Sequence, residues 1–323
     1  MKVTSERAFP VDNASILFLS LIRPYHTNSF RFSMTMKEAV CPEALQEAVN
    51  RIYKRFPSVI AGVQQGFFAY RQVAASAPPV VQPDPGLLRP MTREELHNCC
   101  FRVYYKDRTI SLEVFHALTD GYGTITTFTT LASEYLNIRY ETVVHQGLTR
   151  LDITQDPQPE EVVDSFLEMK DAPPRHLPSR FSYLPKRAED ADWQVRSSAL
   201  TLDTKPLLEA SRRYGVTLNT LLTTVLADAV MELQLQERAG KRLKPVRIMV
   251  PVDLRRLVGS RTLRNFSLYT LPTMEGYQHD LPFPELCQVF DSQLKQQLSK
   301  ENLSAMVSHI LTGMPIRCPA SMK

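Results

Sequence analysis

Residues 101–135 constrain the fold more than any other part of the chain. Phe101–Tyr105 and Ile110–Phe115 are rich in β-branched and aromatic residues and are separated by Lys106-Asp107-Arg108-Thr109, which predicts a hairpin. His116-Ala117-Leu118-Thr119 and then Asp120-Gly121-Tyr122-Gly123 follow at once. Beyond them Ile125, Phe128, Leu131, Ala132 and Tyr135 recur at helical spacing. A strand that passes through a tight turn into an amphipathic helix calls for sheet packed against helix. It puts His116 at a strand end and Asp120 at a helix start.

The flanking sequence repeats this mixture. Ala14–Ile22 reads as a buried strand, and Asn28–Met36 as a half-buried one with Phe30, Phe32, Met34 and Met36 on one side. Pro42 opens a helix carrying Leu45, Val49, Ile52 and Tyr53 up to Pro57. Phe67–Val73 is a further strand, followed by a Pro-rich loop over Ala77–Pro90. Residues 152–192 hold Pro157, Pro159, Pro173, Pro174, Pro178 and Pro185 among many charges, and read as a linker with one helix near Val162–Met169. Strand signals resume at Val195–Leu202, then a short helix over Lys205–Arg213 stops at Gly215. Thr217 caps a long helix with Leu218, Leu221, Leu222, Val225, Leu226, Ala229, Val230 and Leu233 on its apolar face. Val246–Val252 and Phe266–Leu271 read as strands. The segment from Pro284, with Leu286, Val289, Phe290 and Leu294 on one face, and Leu303–Met314 complete the pattern. The fold class is α/β (α+β), with domains at 1–151 and 193–323 joined by 152–192.

Composition narrows the function. The 323 residues hold 38 Lys+Arg against 34 Asp+Glu, a net charge of only +4, and the basic residues are scattered. No basic stripe marks a nucleic-acid binder. Five cysteines, Cys41, Cys99, Cys100, Cys287 and Cys318, are odd in number, and adjacent Cys99 and Cys100 are badly placed for a mutual bridge, so a reducing cytoplasm is expected. The early apolar run Ile16–Ile22 is too short to span a bilayer, follows Glu6-Arg7, and precedes no small-residue cleavage site, so neither a membrane span nor a signal peptide is expected. No metal-ligand motif, P-loop or dinucleotide fingerprint is found.

His116-x-x-x-Asp120-Gly121 has roughly 0.01 chance matches expected in a chain with 7 His and 11 Gly. Taken singly, a strand-end His is a packed residue, an Asp at a helix start is an N-cap, and Gly121 and Gly123 are turn residues. Together they allow chemistry. A neutral imidazole projecting from a strand end can take a proton near neutral pH. Asp120 can cap the helix, orient the turn or hold a cation, and Gly121 can permit a close or left-handed backbone.

The stretch His-Ala-Leu-Thr-Asp-Gly resembles the active-site signature of the chloramphenicol-acetyltransferase-like superfamily, which includes alcohol acetyltransferases, BAHD acyltransferases, polyketide-associated acyltransferases and nonribosomal-peptide condensation domains. Other segments are similar in the same order. Arg55-Phe56-Pro57 closes the first helix, as in the alcohol acetyltransferase branch, and Val216-Thr217-Leu218-Asn219 opens the long one. Val250-Pro251-Val252-Asp253-Leu254-Arg255 is similar to a Pro-Val-Asn-Leu-Arg strand, and Arg264-Asn265-Phe266 to an Asn-Phe element.

The resemblance implies two α/β sandwich domains, the second incomplete, because relatives continue for on the order of a hundred residues past the Asn-Phe element. No Asp-Phe-Gly-Trp-Gly loop is present, and Trp193 is the sole tryptophan. It further implies that His116 is a general base and that no acyl-enzyme forms. Acyl-CoA, acetyl-CoA in the first instance, would be a co-substrate rather than a bound cofactor, and a hydroxyl or amine the acceptor. Asp120 would pair with an arginine, with Arg255 the candidate and Arg256 the neighbour that leaves the choice open. Gly121 would support the turn. Asn265 would line a tunnel between the halves or be a plain turn residue. Phe115 stands where many condensation domains carry a second histidine, which favours the acetyltransferase branches. Two alternatives stay open: a truncated, non-catalytic relative or gene fragment, and a condensation-type enzyme taking its acyl group from a carrier protein acting in trans.

Overall fold

The computed structural model describes residues 8–22, 27–66, 69–86, 88–144, 149–169, 173, 181–186, 198–237 and 240–313. Its chain divides into two compact units, the first from residues within 1–168 and 255–266, the second from residues within 169–254 and 267–312.

The first unit begins with β1 (Ala8–Pro10) and α1 (Asn13–Ser20), followed by β2 (Ser29–Thr35) and α2 (Pro42–Ile52). Then come β3 (Ala61–Gln65), β4 (Tyr70–Ala74), β5 (Gln82–Pro83) and α3 (Arg93–Asn98). The hairpin β6 (Phe101–Lys106) and β7 (Thr109–Phe115) leads into α4 (Gly121–Tyr140), with short α5 (Pro159–Val162) beyond. β2, β7, β6 and β5 form one sheet in that order, and β1, β4 and β3 another. β7 pairs antiparallel with β2 from Ser29↔Phe115 to Thr35↔Thr109, so its end sits against the start of β2.

β7 buries both faces. Ile110, Leu112 and Val114 join one core with Leu45, Val49 and Ile52 of α2 and Phe128 and Leu131 of α4. On the other face Glu113, with 0% exposure, stands opposite Arg31 on one side and Arg102 on the other. Arg31 Nε donates to its Oε1 at 3.1 Å and Arg102 Nη1 to its Oε2 at 3.0 Å. Two guanidinium groups thus compensate a carboxylate buried mid-sheet, a position that would otherwise be strongly unfavourable.

The second unit contains α6 (Thr204–Arg213), α7 (Leu218–Glu237), β8 (Val246–Arg247) and β9 (Val250–Asp253). The chain then visits the first unit through α8 (Arg255–Val258) and returns as β10 (Ser267–Thr270), β11 (Thr273–Met274), α9 (Phe283–Gln297) and α10 (Lys300–Gly313). β9 pairs with β10 and β8 with β11, both antiparallel.

Four expectations are corrected. Ala14–Ile22 is not a strand: residues 13–20 form α1, because Asp12 caps it through Ser15 N–H at 2.7 Å and a short apolar run has no periodicity to separate helix from strand. Residues 198–202 carry no strand, while Val195 to Ser197 lie outside the described residues. Val246–Val252 is two strands, parted where Ile248 N–H turns to Pro272 O. Val162–Met169 is the end of α5 and a separate 3₁₀ turn over Ser165–Met169. Phe67 and Phe68 of the Phe67–Val73 strand, much of the 152–192 linker, Trp193, Cys318 and residues 1–7 also fall outside the described residues.

The buried face of α7 also differs. Its core side is Thr220, Leu221, Thr223, Thr224, Ala227, Met231 and Gln234, whereas Val225 is 47% and Leu226 52% exposed. The threonines can be buried because Thr223 Oγ1 and Thr224 Oγ1 donate to the carbonyls of Asn219 and Thr220 at 2.7 and 2.8 Å, leaving their methyls to pack. Gln234 is satisfied in both directions by Lys244, donating to its carbonyl and accepting from its N–H. Leu221→Ala should therefore cost about 2–5 kcal/mol in denaturant unfolding, and Leu226→Lys within about 0.5 kcal/mol of nothing. The reverse order would restore the apolar face read from the sequence.

Candidate active site

His116 ends β7, and its turn is tied down residue by residue. His116 N–H donates at 2.8 Å to the carbonyl of Asn28, a residue held at φ 44°. The His116 carbonyl accepts from Asn265 Nδ2 at 3.0 Å. The Ala117 carbonyl accepts from Ser15 Oγ at 2.5 Å, and that of Leu118 from Gln72 Nε2 at 3.0 Å. Thr119 Oγ1 donates to the Leu263 carbonyl at 2.5 Å. These partners come from α1, the residue before β2, β4 and residues 255–266, so four segments distant in sequence hold the turn.

Asp120 closes the arrangement. Its Oδ1 accepts from the N–H groups of Tyr122 and Gly123, at 3.1 and 3.4 Å, capping α4. Arg255 grips it bidentately, Nη1 to Oδ2 at 2.9 Å and Nη2 to Oδ1 at 3.0 Å, and Phe266 N–H adds a bond to Oδ2 at 2.8 Å. Arg255 in turn donates from Nε to the Thr262 carbonyl and from Nη2 to the Arg264 carbonyl, and lies 4.4 Å from the centre of the Tyr122 ring. The structure thus puts Arg255 on Asp120.

The two glycines differ. Gly121 is exposed, is not left-handed, and a Cβ there would meet nothing within 4 Å, so it needs neither the close nor the left-handed backbone expected of it. Gly123 does: a Cβ there would lie 2.1 Å from the Leu263 carbonyl oxygen and 2.2 Å from Thr119 Oγ1. The steric demand of the motif is displaced two residues into the helix.

The imidazole lies between aromatic rings. Phe18 stacks on it with centroids 4.1 Å apart and planes 13° from parallel, and Phe30 tilts against it at 4.7 Å. Burial lowers its pKa below the ordinary 6.5, against the opposing effects of its own backbone, the Asp120 charge, Asn265 and Thr119. The ring is therefore neutral at pH 7. Asp12, the cap of α1, has its carboxyl pushed up to about 6, chiefly by burial, although Arg264 Nη2 lies 3.4 Å away. Among the described residues no group of three His, Cys, Asp or Glu side chains could hold a metal ion.

Phe18, Ser15 and Gln72 were missed by the sequence reading. Phe18 and Ser15 fell within the segment read as a strand. The available signal was Asp12 three residues before Ser15, a helix-start spacing. Gln72, beside Arg71 in its strand, offered no comparable signal.

No family model matches the chain, and no curated protein matches it in sequence. Solved structures do match. The chain is similar to TRI101 from F. sporotrichioides complexed with coenzyme A and T-2, with a TM-score of 0.60 and 12% identity over 94% of this chain and 78% of that one. It is similar to the epimerization domain from the third module of tyrocidine synthetase B, with a TM-score of 0.60 and 14% identity over 100% of this chain and 78% of that one. A condensation domain from the Monacolin K polyketide synthase MokA gives a TM-score of 0.58 and 14% identity, over 96% and 77%. The chain has the chloramphenicol-acetyltransferase-like fold. At these identities the likeness is one of fold alone. Among the described residues no single helix is long and apolar enough to cross a membrane.

Within this fold, Gly121→Ala should change stability by less than about 1 kcal/mol, and Gly123→Ala should cost at least about 1–3 kcal/mol because its Cβ strikes backbone. Asp120→Asn should cost about 3–5 kcal/mol by leaving the Arg255 charge buried and half-paired. Denaturant unfolding of the three variants checks the order.

Proposed function

We propose that the chain is an acyltransferase that moves an acyl group, acetyl in the first instance, from a coenzyme A thioester to a hydroxyl or amine. His116 is its general base. The neutral imidazole takes the proton from the acceptor O–H or N–H as that atom attacks the thioester carbonyl carbon. The tetrahedral intermediate collapses, the C–S bond breaks, and the imidazolium returns the proton to the leaving thiolate. Donor and acceptor react directly, so no nucleophilic side chain is required. Asp120 and Arg255 support the turn, and Gly123 rather than Gly121 permits its close packing.

The observation that carries this reading is the use of Asp120. Both of its oxygens are taken by Arg255, Phe266 and the N-terminus of α4. The aspartate is thus committed to holding the turn and leaves the ring to act as a base on its own. The coenzyme A in the TRI101 complex supports the donor class. A carrier-protein thioester would undergo the same chemistry, and the condensation-domain likeness keeps that donor as the second reading. Cys41, Cys99, Cys100 and Cys287 are free, which fits a reducing cytoplasm.

Thioester consumption with a panel of alcohols and amines tests the proposal. His116→Ala should lower the rate by about 10²–10⁴-fold. Activity equal to wild type would remove the general base, and inactivity of both proteins on coenzyme A and carrier thioesters would favour a non-catalytic relative. Because the ring's pKa is lowered, the wild-type rate should hold as pH falls to 6.5 and decline only below it. The same shift bears on stability: the unfolded ring binds its proton before the folded one does, so this histidine's contribution falls on acidification below 6.5.

A further inference from the structure

The amide of Asn265 is only half used. Asn265 is 2% exposed, and its Nδ2 donates to the His116 carbonyl. That bond fixes the amide's orientation, since the flipped amide would set two acceptor oxygens against each other. Its Oδ1 is buried without a hydrogen-bond partner. The Nδ1 atom of His116, in the residue to which Asn265 is already bonded, is likewise buried without one.

These two unmet needs are complementary. A neutral imidazole carries one proton, on Nδ1 or on Nε2, and the nitrogen without it is the base. A buried N–H requires an acceptor, and a buried amide oxygen requires a donor. Of the other groups at the ring, the backbones of His116 itself and of Thr119 also act on it, and the rest are spoken for or apolar. Phe18 from α1 and Phe30 from β2 cover it with carbon, and the Asp120 carboxylate is bound to Arg255.

We propose that Asn265 is a positioning residue whose Oδ1 accepts the Nδ1 proton of His116, so that the lone pair is confined to Nε2. The amide then holds the histidine at two points, carbonyl and ring. Hydrogen bonding by the Asn265 side chain is also among the influences that raise the His116 pKa against burial. This assignment rests on His116 being the base, but the tautomer is observable without turnover.

Long-range proton–nitrogen spectra of the full chain, with its histidines labelled in nitrogen-15, read the tautomer directly at a pH above the ring's titration. The wild-type protein should show His116 with its proton on Nδ1. A proton on Nε2 in wild type would overturn the proposal before any variant is made. Asn265→Leu should give a mixed tautomer and a kcat lower by about tenfold or more with KM little changed. Asn265→Asp gives up the donor to the His116 carbonyl but keeps an acceptor for the ring and adds a charge, so it should keep the tautomer and move the His116 titration and the acid limb of the rate upward together. An unchanged tautomer in Asn265→Leu, or an unmoved titration in Asn265→Asp, would leave Asn265 a packing residue. If the tautomer behaves as expected while His116→Ala retains full activity, the general-base reading fails and the positioning one stands.

Discussion

The buried pair of Asp120 and Arg255 is the interaction on which the site depends. Alone, neither charge belongs where it is, because each would be stripped of water at a large penalty. Together they are satisfied by geometry as well as charge. The carboxylate receives two guanidinium N–H groups, two helix-end N–H groups and the amide of Phe266. The guanidinium also donates to the carbonyls of Thr262 and Arg264. The pair thus ties the start of α4 to residues 255–266 and gives the His116 turn two fixed ends.

Further anchors reinforce that segment within the first unit. Leu263 N–H donates to the Glu161 carbonyl at 2.8 Å and Thr262 Oγ1 to the Val163 carbonyl at 2.7 Å. Glu161 is itself held bidentately by Arg55, the arginine that ends the first long helix and that the sequence motif Arg55-Phe56-Pro57 had singled out. The buried pairs Asp120–Arg255 and Arg55–Glu161 join residues 135 and 106 positions apart, while Glu113 is shared by Arg31 and its hairpin neighbour Arg102. Such pairs contribute modest net stability, but breaking one is costly. Their weight therefore falls on specifying a single arrangement.

Much of this was legible in the residues. The hairpin, the turn and α4 followed from apolar periodicity that switches from two to 3.6 residues at Asp120. The fold class followed from the alternation of such segments. What failed did so for physical reasons. Ala14–Ile22 is apolar but for Ser15 and Ser20, and so short a run carries no clear periodicity, so Phe18 was placed on the wrong kind of element. The apolar face read on α7 was overridden by threonines whose hydroxyls bond to their own helix, which makes a polar-looking face dry. Gly121 drew attention by its place in the motif, whereas the close backbone approach at Gly123 depends on Leu263, 140 positions later, and no local pattern could announce it. The stacking of Phe18 on His116 was equally hidden, because it joins two segments whose proximity only the tertiary structure creates.

The separation between Asp120 and its partner has a consequence for biosynthesis. A ribosome adds about 5–20 residues each second, so Arg255 emerges roughly ten seconds after residue 168. Throughout that interval the sheets and helices of the first unit are present while the acid at the start of α4 has no cation to meet. The His116 turn is thus completed only well after the rest of residues 8–168 has been made. The nascent chain must leave that acid in water until residues 255–266 arrive.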